Sequence, residues 1–486
     1  MNHQKLPPII LLLLDSAGAN RFSLYGHFRH TTPNLERMAS EAAVYHYCFS
    51  NAPWTIPSHA SLFTGLYPHE HQSVETLDGL PEGMMSLPEV LREQGYHTMG
   101  ITNNLIMSRL TGFDRGFDKF YETTSLFQDE DFLKARGDYQ TQKRKFNLKG
   151  DWNKIIFIFK YIWENKYYTF PIKKALDRLY YNYLGNVCNN TNFVTKRTMR
   201  LTKKLIKMAK NNNPFFLFIN LMETHKPYSA PYPFNELFQK VDPQQRKRLS
   251  DKKIDHVQFE ENLELRKERG EFWGLCQDQE VAYVDSLIWE LREFLIRQQL
   301  WDRVLFIITS DHGEALGEHG VFNHHFSLYN ELVHIPLIIK YPKDYQLTGD
   351  FRQLAQLNDL FATLSQVSDS PRPMPLSSYS LLDGSREFAL AAFMDDTFGQ
   401  RLSERMVAEG FLTEAKVHPC MLPGNAWITP DLWKLIRWQD GSRELYNLNQ
   451  DFYEKHNLID SPELAWKAAD LEGQLDNYLT FEALPL

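Results

Sequence analysis

Over its first two-thirds the chain alternates short, unbroken apolar runs with segments whose apolar residues recur every three or four positions. The runs "IILLLLDS" (9–16), "YHTMGIT" (96–102), "PFFLFINLM" (214–222), "RVLFIITSDHG" (303–313) and "HIPLIIKY" (334–341) read as strands buried on both faces. Helical periodicity covers 33–46, 58–64, 86–95, 192–211 and 278–298. Such alternation predicts an α/β fold. In that class ligands gather at the carboxyl ends of the strands, where Asp15, the Met222 to His225 segment and Asp311 fall.

Beyond about residue 345 the texture changes. "SDSPRPMPLSSYS" (368–380) reads as a connector, and "LWKLIRW" (432–438) with a turn at Asp440-Gly441 reads as a shorter strand. The expected division is a catalytic domain over 1–345 and a smaller subdomain over 346–486. No internal repeat or low-complexity tract interrupts either part.

With 486 residues, 43% hydrophobic and 14% aromatic, the chain has material for a large core. No window approaches ~18 uninterrupted apolar residues, and the N-terminus lacks the pattern of a signal peptide. The cysteines Cys48, Cys188, Cys276 and Cys420 lie far apart, with no CxxC and no histidine at zinc spacing. Both features point to a cytoplasmic setting.

The net charge of −8 conceals an asymmetry. Residues 141–210 hold 17 Lys/Arg against 3 Asp/Glu, a local balance of +14, so the remainder carries −22. Within that insertion "WNKIIFIFKYIWENKYYTF" interleaves aromatics with lysines, as an amphipathic helix packed on the core would. The second reading is a cap over an anionic, lipid-like substrate or, across 141–175, contact with a membrane surface. No nucleic-acid motif accompanies the basic residues.

Candidate chemistry starts at "TSDHGEALGEHG" (309–320), where Asp311 and His312 follow a buried strand. Adjacent strand residues point to opposite faces, so both reach one ion only if the chain turns, and Gly313 is expected to permit that turn. With Asp15, two carboxylates and an imidazole suit Mn²⁺, Zn²⁺ or Mg²⁺ better than Ca²⁺.

These pieces come in a telling order: "IILLLLDSAGANRFSLYGH", "TIPSHASLFTGLYPHEHQ", "FFLFINLMETHKPYSAP", "LFIITSDHGEALGEHG", "SLYNELVHIPLIIKYP" and "ELYNLNQDFYEKHNL". In that order the chain resembles the sulfatase-like branch of the alkaline phosphatase superfamily. The resemblance implies a central mixed sheet flanked by helices, a smaller C-terminal α+β subdomain, one divalent metal ion at the strand ends, and a nucleophile at a helix N-terminus. The metal set it implies is Asp15, Thr55, Asp311 and His312.

Thr55 in "WTIPSHASLFTG" stands where sulfatases carry a Cys or Ser that is converted to formylglycine, and His59 stands where they carry Arg. A threonine Cβ bears a methyl group, so that conversion to an aldehyde is closed to it. The departure points instead to direct attack by the Thr55 hydroxyl on phosphorus, in a phosphate diester or phosphonate ester. The usual aspartate pair is Asp15-Ser16 here, and a Gly-Lys-x-His segment is replaced by "ITNNL", which offers Asn103 as a substrate ligand beside His59. His225 in "METHKPY" and His324 in "FNHHFSLYNE" are in register with the family's catalytic positions. Three alternatives stay open: a sulfuric ester hydrolase using unmodified Thr55, a soluble phosphotransferase, and an inactive binding protein. The substrate, its selection by 141–210, and the oligomeric state are not encoded in any motif.

Overall fold

The computed structural model describes residues 6–75, 78–124, 192–210, 214–250, 262–384, 386–395 and 419–482, with isolated positions in 172–176 and 401–408. Most of the basic and aromatic insertion, including "WNKIIFIFKYIWENKYYTF" and nearly all of 141–175, lies outside the described residues.

The strands of the main sheet are β1 (Ile9–Leu14), β2 (Ala43–Phe49), β3 (His97–Thr102), β4 (Lys119–Glu122), β5 (Phe215–Leu221) and β6 (Leu305–Ser310). A small ladder follows, β7 (Ala315–Leu316) with β8 (Phe322–Asn323), and then β9 (His334–Lys340) and β10 (Gly349–Gln356) complete the main sheet. Its eight strands run in the order β10-β2-β9-β6-β1-β5-β3-β4. Only β9 runs against its neighbours, so the sheet is mixed. The carboxyl ends of β1, β2, β3, β5 and β6 therefore open at one edge. In register, Leu14 of β1 pairs with Leu221 of β5 and Ser310 of β6, which brings Asp15, Met222 and Asp311 level.

The unbroken apolar run of β1 is buried at every position, as a central strand covered on both faces requires. One core cluster packs α2 (Thr55–Thr64), α3 (Leu87–Glu93) and α6 (Asp359–Val367) on one face of the sheet. A second packs α1 (Pro33–Met38), α4 (Asn192–Ala209) and α5 (Leu263–Arg297) on the other.

The C-terminal part is an antiparallel sheet of β11 (Ala389–Phe393), β12 (Gly424–Ile428), β13 (Trp433–Trp438) and β14 (Arg443–Asn447), in that order. Helix α7 (Ala465–Glu482) lays Ala468, Leu471 and Leu475 against Trp427, Leu435 and Leu445. This matches the expected fold class of a mixed central sheet with a smaller α+β part. The large sheet runs past residue 345, however, because β10 pairs with β2 at its edge. That strand starts with exposed, polar positions, which hid it from the hydrophobic pattern.

Two helix expectations shift. The segment 33–46 is α-helical only over Pro33–Met38, since "AVYHYCF" is strand β2, and α5 begins at Leu263 rather than near 278. Among the described residues no helix is long and apolar enough to cross a membrane.

Candidate active site

Asp15 leaves β1 into a turn whose next residue, Ser16, has φ 60°. Asp311 and His312 leave β6 together, and both are fully buried. The turn that brings both side chains to one place depends on Gly313 through space rather than through φ. A Cβ at Gly313 would lie 2.0 Å from the Glu331 carbonyl oxygen, so only glycine lets the two segments pass so closely.

Asp311 Oδ1 accepts the backbone N–H groups of Ser16 (3.1 Å) and His312 (2.9 Å). Its other oxygen, Oδ2, lies 3.3 Å from His312 Nε2 and 3.5 Å from His59 Nδ1. His312 Nδ1 donates to the Gly313 carbonyl at 2.8 Å, which fixes the tautomer and leaves Nε2 with a free lone pair. The candidate ligand atoms of Asp15, Asp311 and His312 all lie within 4.8 Å of one another.

Thr55 opens α2, directly after Trp54 at the N-cap, and no side chain caps that helix end. The hydroxyl is therefore not consumed by capping, the ordinary task of a threonine there. It lies 3.3 Å from His312 Nε2, where the free lone pair accepts from it. The first turn of α2 also presents the positive end of the helix dipole to any anion held at Thr55.

Electrostatics divide the two carboxylates. Burial alone would raise Asp15, but His225, His312 and His59 and the Asn104 amide outweigh it and hold Asp15 below the usual carboxylate range. Burial and then the charge of Asp15 push Asp311 well above that range. Burial takes His312 down to about 3 and His59 to about 4. Asp311 Oδ2 is buried with no hydrogen-bond donor of its own. A divalent cation fits this donor set, because it supplies the positive charge that two adjacent buried carboxylates lack.

The other expected residues are placed as follows. His59 is fully buried, its Nδ1 donating to the Thr55 carbonyl at 2.8 Å and its ring edge-on to Phe113 and Phe218, so it braces the first turn of α2 beside Asp311. The Asn103 side-chain oxygen is taken by the hydroxyls of Thr123 and Thr198, and its amide nitrogen is buried without a partner among the described residues. The residue that reaches the centre is its neighbour Asn104, whose amide donates to Asp15 Oδ2 at 2.7 Å. His225 and His324 stand with ring centres 5.0 Å apart, and His324 is 4.6 Å from the ring of His312. His225 is half-buried and His324 is buried.

Two contributors carried no signal in the sequence. Glu314, at the end of the "DHGE" turn, accepts from Nδ1 of His324, which follows β8, at 3.0 Å. Gln277 of α5 donates to the carbonyls of Ser16 (3.1 Å) and Thr224 (3.3 Å), tying the loops after β1 and β5 together. A second cluster, His319, Glu331 and Glu454, also has ligand atoms within 4.8 Å of one another. There Lys434 already pairs with Glu454 at 2.5 Å and bonds Leu328 O and Asn330 Oδ1, so a buried ammonium fills the cationic role.

Comparison with known proteins gives a consistent picture. A family model described as Sulfatase matches residues 7–370, and one described as N-sulphoglucosamine sulphohydrolase, C-terminal, matches 317–480. The chain is 22% identical to the uncharacterized sulfatase YidJ of Escherichia coli, over 98% of this chain and 87% of the relative. It is 22% identical to Arylsulfatase K of Bos taurus, over 97% and 81%. Its fold superposes on the phosphonate monoester hydrolase of Agrobacterium radiobacter with a TM-score of 0.66 at 17% identity, covering 98% of this chain and 95% of the other.

Proposed function

The chain belongs to the sulfatase family, and from that premise we propose that it is a metal-dependent hydrolase of sulfuric esters using the unmodified Thr55 hydroxyl as nucleophile. The sequence reading set phosphorus ahead of sulfur. The relatives favour the reverse order, since the family model and both curated relatives are sulfatases.

The observation that carries the reading is the Thr55 hydroxyl, free of capping and 3.3 Å from His312, beside a buried pair of aspartates. Asp15, Asp311 and His312, with Thr55 beside them, are the residues that would hold the cation. When bound, a divalent ion would polarise the ester and favour the ionised form of the Thr55 hydroxyl.

The remaining work belongs to the side chains. Thr55 Oγ1 attacks sulfur, the bond from sulfur to the leaving oxygen breaks, and the departing alcohol takes up a proton. His225, half-buried with Nδ1 donating to the Lys226 carbonyl, is assigned as the group that protonates it, a role its Nε2 fills in the imidazolium form and which returns the ring to neutral. His324 is held neutral by burial and by the imidazoles of His325 and His225, while Glu314 fixes its Nδ1 proton. Its Nε2 is assigned as the base that takes up the proton Thr55 shares with the neighbouring His312 and that later activates water to cleave the sulfothreonine. The N-terminus of α2 stabilises the charge on the transferred group. His59 supports Thr55 from below, and Asn104 does the same for Asp15. Asn103, held by Thr123 and Thr198, is assigned to the wall of the substrate site.

A second reading, hydrolysis of a phosphonate or phosphate diester by the same residues, is favoured by the threonine itself and by the fold shared with the phosphonate monoester hydrolase. Following nitrophenol and inorganic anion together during turnover of p-nitrophenyl sulfate tests the hydrolytic assignment. Equal amounts of the two are expected even with an alcohol acceptor present. A deficit of free sulfate that grows with acceptor concentration would identify a transferase, and no turnover of any ester would identify a binding protein.

A further inference from the structure

We propose that the outward face of α4 is a docking surface for an anionic membrane. Residues 192–210 carry seven Lys/Arg and no Asp/Glu, in a chain of net charge −8. A protein with that overall charge is repelled by an anionic bilayer unless its positive charge is gathered in one place. Here it is gathered on one stripe. Lys196, Arg200, Lys204 and Lys207 are all exposed, at spacings of four, four and three residues, and so line one side of α4 over about 16 Å.

None of these four has an ion-pair partner among the described residues, whereas Lys203, just off the stripe, pairs with Glu290 at 2.5 Å. The stripe also borders a groove of about 430 Å³ whose described lining is Arg200, Lys203, Lys204, Lys207 and Met208.

Apolar groups decide between a membrane and a hydrophilic polyanion. Met208 is 54% exposed and Phe193 is 43% exposed, one at each end of the cationic stripe. A bilayer interface buries such side chains between the headgroups while the cations meet phosphate, and a polysaccharide or nucleic acid backbone gives them nothing equivalent. The opposite face of α4 is fixed to the protein: Thr195 donates to Glu223, Thr198 donates to Asn103 at 2.7 Å, and Leu205, Ile206 and Ala209 join the core. Docking through the stripe therefore anchors the same helix that backs the strand ends at Asn103 and Glu223.

Co-sedimentation of the full chain with phosphatidylcholine vesicles, with and without about one-third phosphatidylglycerol, tests this. Binding is expected to the anionic vesicles only, and to fall steeply as salt is raised. The variant Lys196→Glu/Arg200→Glu/Lys204→Glu/Lys207→Glu is expected to lose it, each cation contributing roughly a fivefold factor, with p-nitrophenyl sulfate turnover unchanged. Met208→Ser supplies a milder change at an exposed position and is expected to weaken vesicle binding severalfold without affecting retention on heparin. Three results overturn the proposal: no binding of the wild type to anionic vesicles, equal binding by the charge-reversed variant, or retention on heparin with no vesicle binding. The last would reassign the stripe to a polyanionic chain.

Discussion

The Thr55 hydroxyl donates to His312 Nε2 at 3.3 Å across a separation of 257 residues, and both groups are buried. A threonine at a helix start serves as nucleophile only if its hydroxyl is free and faces the reacting centre. The two requirements predict opposite outcomes for two small substitutions. Thr55→Ser keeps the hydroxyl and should retain turnover within about tenfold, whereas the isosteric Thr55→Val should lose at least about a thousandfold in kcat. Comparable losses in both variants would mean that shape, not the hydroxyl, is what the position supplies.

Chelation is expected to abolish turnover and to lower thermal stability, with both restored by a divalent cation. At a metal concentration about a hundred times its Kd, the restored stability is about 2.7 kcal/mol. Asp311→Asn should bind the ion far more weakly, and its thermal midpoint should no longer respond to added metal. A variant that keeps the metal response would remove Asp311 from the ligand set.

Glu314 is hydrogen-bonded to His324, and as a positioning residue it would act through that ring. Glu314→Gln keeps a hydrogen bond to Nδ1 but removes the carboxylate, and should lower kcat by about tenfold to a hundredfold with little change in KM. The double variant Glu314→Gln/His324→Ala should be no slower than His324→Ala alone, since one group acts through the other. Additive losses would give Glu314 a separate role.

Glu223 offers a pH test of the buried wall behind Asp15. Burial, reinforced by the charge of Asp15 and only partly offset by the Thr195 hydroxyl, pushes its carboxyl up to about 7. A carboxyl raised from 4.5 to about 7 on folding binds more protons in the native state, so its contribution to stability falls as pH rises between those values. Glu223→Gln keeps the acceptor for Thr195 and cannot ionise. It should match the wild type near pH 4.5 and exceed its thermal midpoint by a few degrees above pH 7. Parallel pH curves for the two proteins would show that Glu223 is not buried as a neutral acid.

The strands β1, β3, β5, β6 and β9 were legible because each is a compact apolar run, and the residues after them are where an α/β sheet delivers its chemistry. Asp15, Asp311 and His312 could be gathered from those ends, whereas Thr55, which opens α2 after β2, was reached only through the family resemblance. β2 was less legible, because "AVYHYCF" follows a helical segment with no breaker to divide them. The charged first turns of α5 carry no apolar stripe, and so its start was placed too late. Between Asn103 and Asn104 the pattern offered no choice; the structure turns Asn104 to Asp15 and Asn103 to Thr123 and Thr198. Contacts such as Gln277 with Ser16 and Thr224 span the chain and leave no periodic trace.

The central claim is that this set of residues cleaves a sulfuric ester with Thr55 as nucleophile. The most direct measurement compares kcat/KM for p-nitrophenyl sulfate, p-nitrophenyl phosphate, bis-p-nitrophenyl phosphate and p-nitrophenyl phenylphosphonate, with a divalent cation present, in the wild type and in Thr55→Ala. The account predicts that the sulfate is the best of the four and that the alanine variant turns over none of them. Faster cleavage of the diester or the phosphonate, or sulfate turnover at the wild-type rate in Thr55→Ala, would contradict it.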